Sequence, residues 1–259
     1  MTPDHAHMDA ALVDAFSQEA ARAFALSGFR APAAGEALIL LVDTAPWTAH
    51  ANAAERLLCS GERHRAARFH FAHDRAAYVL SHAFWRSALG NCLGMAAADV
   101  PLINTPAGQP RLPGSPWATS ISHGGSWAAI ALCVAATVGV DIEPSPSRVE
   151  LGQLITTICS PSEMTQLDVL TASARKHSLL ALWTRKEALL KAFGVGLIET
   201  PAMFSAPAGK LIAAPAAASG QPACQAFELK LPSGLVGALA APAPIASCRV
   251  LTLAGAPFR

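Results

Sequence analysis

The apolar residues of this chain fall in short runs separated by glycine, proline and polar turns, and that spacing constrains its fold more than any other feature. Runs at 37–42 (ALILLV), 118–121, 128–134 and 138–142 have the length of buried strands. The longest uncharged apolar run, 128–140, has thirteen residues, whereas a helix crossing a bilayer needs roughly 20. A second run, 235–247, is interrupted by Pro242 and Pro244. Although 52% of the residues are hydrophobic, the sequence therefore predicts burial in a core and no membrane association.

Between these runs lie helical patterns at 9–26, 74–89, 161–171 and 175–193. The third carries Ser160 as N-cap with Glu163 three positions on. The fourth is stopped by Gly194 and Gly196. Further short strands are expected at 225–231, 235–240 and 248–253. The pattern predicts an α+β chain in two halves, 36–137 and 138–259, each mixing strands and helices. Residues 1–35 read as an N-terminal extension, with Leu12, Val13, Phe16, Ala20 and Ala23 on one side of a helix.

Nineteen basic residues against 18 acidic ones leave a net charge of +1, so no bulk field favours nucleic acid. Any anionic ligand must be held by a local cluster. The first thirty residues contain Asp4, Asp9, Asp14 and Glu19 and lack a secretory signal pattern, which predicts a cytoplasmic protein. The six cysteines at 59, 92, 133, 159, 224 and 248 include no CxxC pair and read as small buried hydrophobes.

Two segments carry chemistry. In GVDIEP (139–144) a strand would send Asp141 and Glu143 to one face and Val140 and Ile142 to the other. Adjacent carboxylates repel unless a cation or solvent separates them, and a hard divalent ion such as Mg²⁺ takes oxygen ligands. In WTRKEALLK (183–191) a helix would align Trp183, Glu187 and Lys191 along one stripe with Lys186 beside it. The plain alternative is a solvated strand end and a surface ion pair between Glu187 and Lys191. Taken together, Asp141, Glu143 and Glu187 could hold Mg²⁺, with Lys186 and Lys191 adding positive charge for a pyrophosphate. A third segment, TSISHGG (119–125), places His123 after a strand beside glycines, where it could donate to a phosphate. A Ser122–His123 dyad is not expected, since neighbours in a strand point to opposite faces.

These segments resemble the signature motifs of the 4′-phosphopantetheinyl transferases, in the two-lobed form often called the Sfp type. GVDIE and WTRKEALLKAFGVGL (183–197) match its two main motifs. SISHGGSWAAIAL, GQP (108–110), CSPSE (159–163) and ERHRAARFHFAHDRAAYVLSHAFWRSAL (62–89) are similar to further family segments in the same order. The resemblance implies two similar α/β lobes related by a pseudo-twofold axis, with coenzyme A between them. It implies transfer of the phosphopantetheine arm to a serine of an apo acyl or peptidyl carrier protein by a monomer, with Mg²⁺ on Asp141, Glu143 and Glu187. Lys186, Lys191, Ser122 and His123 would correspond to phosphate contacts, His123 to the 3′-phosphate, and Glu187 and Lys191 to catalytic groups. The chain departs from the family pattern at Gln109 (lysine in GKP), Ser120 (asparagine) and Ala77 (arginine). Arg75, Arg63 or His64 would then supply the missing charge, and the loss of an exposed lysine at 109 would weaken coenzyme A binding. A Mg²⁺-dependent hydrolase of nucleotide pyrophosphates and a non-catalytic carrier-binding protein are the alternative readings.

Overall fold

A computed structural model describes residues 3–147, 149–196, 200–253 and 255 of the 259. Helix α1 spans Pro3–Leu26, with side chains described from Ala15 onward, so Leu12 and Val13 lie outside what is described. Strand β1 (Glu36–Asp43) follows, then α2 (Ser60–Ala66), α3 (Ala72–Leu93) and the hairpin β2 (Trp117–Gly124) and β3 (Trp127–Val134). The second half runs β4 (Gly139–Pro144), α4 (Pro161–Asp168), α5 (Ala172–Phe193), β5 (Cys224–Glu228), β6 (Leu235–Pro242) and β7 (Ser247–Thr252).

The two halves repeat one topology, strand, long helix, hairpin. In each the first strand pairs antiparallel with the second hairpin strand, β1 with β3 and β4 with β6. Helices α3 and α5 both have 22 residues and both end on a left-handed glycine, Gly94 at φ 68° and Gly194 at φ 72°. The two-lobed α+β architecture is thus present although the halves show no evident sequence repeat. The hairpin turn is Gly125-Ser126, with Gly125 at φ 67°, one residue later than the glycine pair alone suggests.

The lobes are not two consecutive pieces of chain. β7 leaves the second half and pairs in parallel with β1, giving the sheet order β7–β1–β3–β2. The boundary of 138–259 expected for the second lobe is therefore corrected at its end. β1 offers a free edge once β3 covers its other side, and β7 satisfies that edge. The second sheet runs β4–β6–β5, with the short strand Leu211–Ile212 on its far edge.

Three apolar layers result. One face of the first sheet (Leu38, Leu40, Ile130, Leu132) packs on α1 and α3. Its other face (Ile39, Leu41, Ala131) meets Val140, Ile142 and Leu239 of the second sheet. The outer face of the second sheet (Ala238, Ala240) carries α5 through Ala188, Leu189 and Ala192. Helix α1 is integral to the core and no mere extension, because Phe16 is fully buried edge-on against Trp47 and Phe84. Among the described residues, no helix is long and apolar enough to cross a membrane.

Candidate active site

Strand β4 is an edge strand of the second sheet, and its Val140 and Ile142 amides donate to Ser120 and Ser122 of β2 in the first sheet. Its alternation works as the sequence predicts: Val140 and Ile142 enter the layer between the sheets, while Asp141 and Glu143 face α5. Gly139 makes this possible. A Cβ there would overlap the Ala188 carbonyl and lie 2.6 Å from the Ala192 amide nitrogen. Only glycine lets α5 approach so closely, and that approach brings the helix stripe down over the acids.

Lys191 Nζ donates to Asp141 Oδ1 at 2.8 Å and to the Val140 carbonyl at 3.1 Å. Lys191 thus pairs with Asp141, and the alternative of a plain surface pair with Glu187 does not describe it. Asp141 is 5% exposed, and its Oδ1 also accepts from the Ser122 hydroxyl at 2.8 Å. Its Oδ2 and Oε1 of Glu187 are buried and have no hydrogen-bond partner. Burial pushes the Glu187 carboxyl up, the charges of Asp141 and Glu143 push it further, and Lys191 offsets only part, leaving it at about 7. Glu143 is raised by burial and by Asp141, against the opposing influence of Trp183 and Lys191.

The three acids expected to hold Mg²⁺ therefore share one electrostatic site, but they are not a preassembled ligand set. Among the described residues no three acidic, histidine or cysteine side chains are gathered for a metal. The physical reason is mutual repulsion, with Lys191 occupying one oxygen of Asp141. The two buried, unpartnered carboxylate oxygens and the raised Glu187 are what an added cation would satisfy, and in that respect the residues fit Mg²⁺.

Beside this cluster opens a cleft of about 850 Å³ between the lobes. Lys191, Gly194 and Gly196 form one wall, and Arg65, Phe69, Tyr78, His82 and Trp85 the other; His123 and Gly125 of the hairpin and the loop at 107–110 complete it. His123 is solvent-exposed on the cleft side, and its Nε2 lies 2.7 Å from the Ser81 hydroxyl. Desolvation, then the positive charges of His82, Lys191 and Arg65, hold its pKa below the usual imidazole value.

Several expected phosphate contacts have other work. Lys186 is completely buried; its ammonium bonds Glu163 Oε2 at 2.6 Å and the carbonyls of Ile158, Pro201 and Phe204. It fastens α4 and the 201–206 segment to α5 and cannot meet a ligand in the cleft, because it points away from the Trp183–Glu187–Lys191 stripe. Ser122 is buried and uses its hydroxyl on Asp141 and on the Ile142 amide, so it positions the acid. Arg63 bonds the Leu58 carbonyl, and Arg75 bonds Glu55 at 2.5 Å. The arginine that reaches the cleft is Arg65, one helical turn after Glu62, which itself closes the capping box of α2 with Cys59. Cys59 is correspondingly exposed, unlike the buried Cys133, Cys159 and Cys224.

Gln109 is not a lost exposed contact either. It is buried, and its amide donates to the Lys191 and Ala192 carbonyls at 3.0 and 2.9 Å and to Thr137 at 3.1 Å. It satisfies carbonyls at the C-terminus of α5, beside Gly194. Ser120 bridges the sheets by accepting from the Val140 amide at 3.2 Å. Sequence reasoning gives Tyr78 only an apolar contact and misses His82. Their signal was the spacing 78, 82, 85 on α3, one helical stripe with a polar ring among aromatics.

Comparisons with known proteins identify the family. A model described as the 4′-phosphopantetheinyl transferase superfamily matches residues 137–220, and one described as the N-terminal part of 4′-phosphopantetheinyl transferase matches 44–135. The 4′-phosphopantetheinyl transferase HetI of Nostoc sp. is 31% identical over 147 residues, covering 55% of this chain and 62% of HetI. A Synechocystis sp. protein, provisionally described as a 4′-phosphopantetheinyl transferase, is 29% identical over 55% of this chain and 59% of its own length. A phosphopantetheinyl transferase of Thraustochytrium sp. is 29% identical over 64% and 63%. The matched part of the chain thus spans about three fifths of each curated relative.

Proposed function

Because this chain belongs to the 4′-phosphopantetheinyl transferase superfamily, we propose that it transfers the 4′-phosphopantetheine arm of coenzyme A to a serine of an apo acyl or peptidyl carrier protein. The observation that carries this reading is the pair of unpartnered buried carboxylate oxygens on Asp141 and Glu187, set beside Lys191 at the edge of the cleft. Such a site suits a pyrophosphate and a cation together.

The serine hydroxyl attacks the phosphorus that bears the pantetheine arm, and the bond from that phosphorus to the bridging oxygen breaks. Adenosine 3′,5′-bisphosphate leaves with the electron pair, and the arm ends as a phosphodiester on the serine. Lys191 offsets charge on the leaving phosphate. Glu187 accepts the serine proton. Ser122 keeps Asp141 turned toward the site. Asp141, Glu143 and Glu187 would hold Mg²⁺, which when bound neutralises pyrophosphate charge. The enzyme acts as a cytoplasmic monomer on fatty-acid, polyketide or nonribosomal peptide carriers.

Incubating the protein with coenzyme A, Mg²⁺ and a panel of apo carriers, followed by intact-mass measurement, should add one phosphopantetheine to at least one carrier. Asp141→Ala should abolish that gain while retaining the native circular dichroism spectrum. Release of the bisphosphate without any carrier would favour a hydrolase instead. Normal coenzyme A binding with no modified carrier would sink the transferase reading.

A further inference from the structure

Lys191 already does for the acid cluster part of what a metal ion would do. Its ammonium donates to Asp141 Oδ1 at 2.8 Å and to the Val140 carbonyl at 3.1 Å, and it borders the cleft. Its charge also acts on Glu143 and Glu187. Lys191 is therefore a counter-ion shared by the three carboxyl groups, tethered one helical turn beyond Glu187.

This counter-ion fits the cluster incompletely. Asp141 Oδ1 accepts from both the ammonium and the Ser122 hydroxyl, yet Asp141 Oδ2 and Glu187 Oε1 stay buried and unpartnered. A divalent ion takes oxygens from several carboxyl groups at once, which one ammonium on a single stem does not achieve here. The two cations would share Asp141, and like charges on one buried carboxylate repel each other.

Lys191 is also free to leave. Its side chain is 30% exposed at the cleft, whereas Lys186, on the same helix, is completely buried among Glu163 and three carbonyls. An anion entering the cleft meets Lys191 and offers it an alternative to Asp141.

We propose that Lys191 is a built-in competitor of the divalent ion. In the free protein its ammonium occupies Asp141 and keeps metal affinity low. The pyrophosphate of coenzyme A draws it off the acid, so metal and nucleotide load together. Linkage makes this reciprocal: the factor by which the nucleotide raises metal affinity is the factor by which the metal raises nucleotide affinity. The identity of the anion rests on the transferase reading; the competition between lysine and metal is an addition to it.

Calorimetric titration of the free protein with Mg²⁺, and with Mn²⁺ as a second probe, tests this without any transfer step. Lys191→Met should bind Mg²⁺ about tenfold or more tightly than the wild type, within the usual range of coupling between two sites. Lys191→Arg keeps the charge and should keep the weak wild-type affinity. Saturating coenzyme A should tighten Mg²⁺ binding in the wild type, and by a smaller factor in Lys191→Met. Melting curves give a second reading. In EDTA, Lys191→Met should melt below the wild type, and added Mg²⁺ should raise its midpoint by more than it raises that of the wild type. Adding Asp141→Asn to Lys191→Met should remove the gained affinity, as expected if the ion sits on the acid cluster. Equal or weaker Mg²⁺ binding by Lys191→Met, tight binding by Lys191→Arg, or an undiminished coenzyme A effect in Lys191→Met would overturn the proposal. Carrier modification by mass is independent of these outcomes, so lysine–metal competition without transfer would sink the transferase reading alone.

Discussion

Replacing Lys186 by methionine separates a structural lysine from a phosphate-binding one. Methionine keeps most of the stem's volume, so the loss is electrostatic. Glu163 stays buried without its cation, while the carbonyls of Ile158, Pro201 and Phe204 lose a donor. Removing one partner of a buried pair costs about 3–5 kcal/mol. For a chain of this size that lowers the melting midpoint by about 6–20 °C. Glu163→Gln in the same chain should recover part of the loss, since no buried charge then remains unpaired. Urea titration measures the stability, and calorimetry at a temperature where the variant is folded measures coenzyme A affinity, which should stay near the wild-type value. Lys191→Met should show the reverse: a smaller loss of stability with transfer strongly reduced. A Lys186→Met protein of wild-type stability with tenfold weaker coenzyme A binding would refute the structural role.

The Glu62 carboxyl is pushed up by burial, but hydrogen bonds from His82 and the Cys59 amide and the Arg86 charge outweigh this and hold it at about 2. The stability it contributes is full above pH 4.5 and is lost as pH falls toward 2. An acid titration should show a loss of about 3 kcal/mol over that window, which Glu62→Gln lacks because it is destabilised from the outset. Phe16→Ala should destabilise by about 3–5 kcal/mol in urea titration, because the ring is wholly buried between Trp47 and Phe84; a detachable leader would tolerate it. Gly139→Ala should cost about 1–3 kcal/mol and depress transfer, since the methyl meets the backbone of α5 and pushes Glu187 and Lys191 from Asp141. Normal kinetics in this last variant would show that the helix approach is dispensable.

Local chemistry left clear marks on the sequence. Alternation in GVDIEP put both carboxylates on one face, the i, i+4, i+8 stripe aligned Trp183, Glu187 and Lys191, and Ser160 with Glu163 built its capping box. These follow from periodicities of 2.0 and 3.6 residues, which any contiguous segment carries within itself. Only the folded chain decided which partner each side chain found. Lys186 and Lys191 share one helix and similar neighbours in sequence, yet one neutralises Glu163 in the core and the other reaches Asp141 at the cleft. Gln109, Arg65, Ser81 and His82 acquired their places from contacts 20 to 83 positions away along the chain or from helices closing around a cavity, and β7 from an open edge of β1 more than 200 residues earlier. The sequence by itself determined the elements and the faces they present. The tertiary structure decided the pairings, because a buried charge or an unfilled sheet edge is satisfied by whatever packing brings near, and local periodicity holds no record of that.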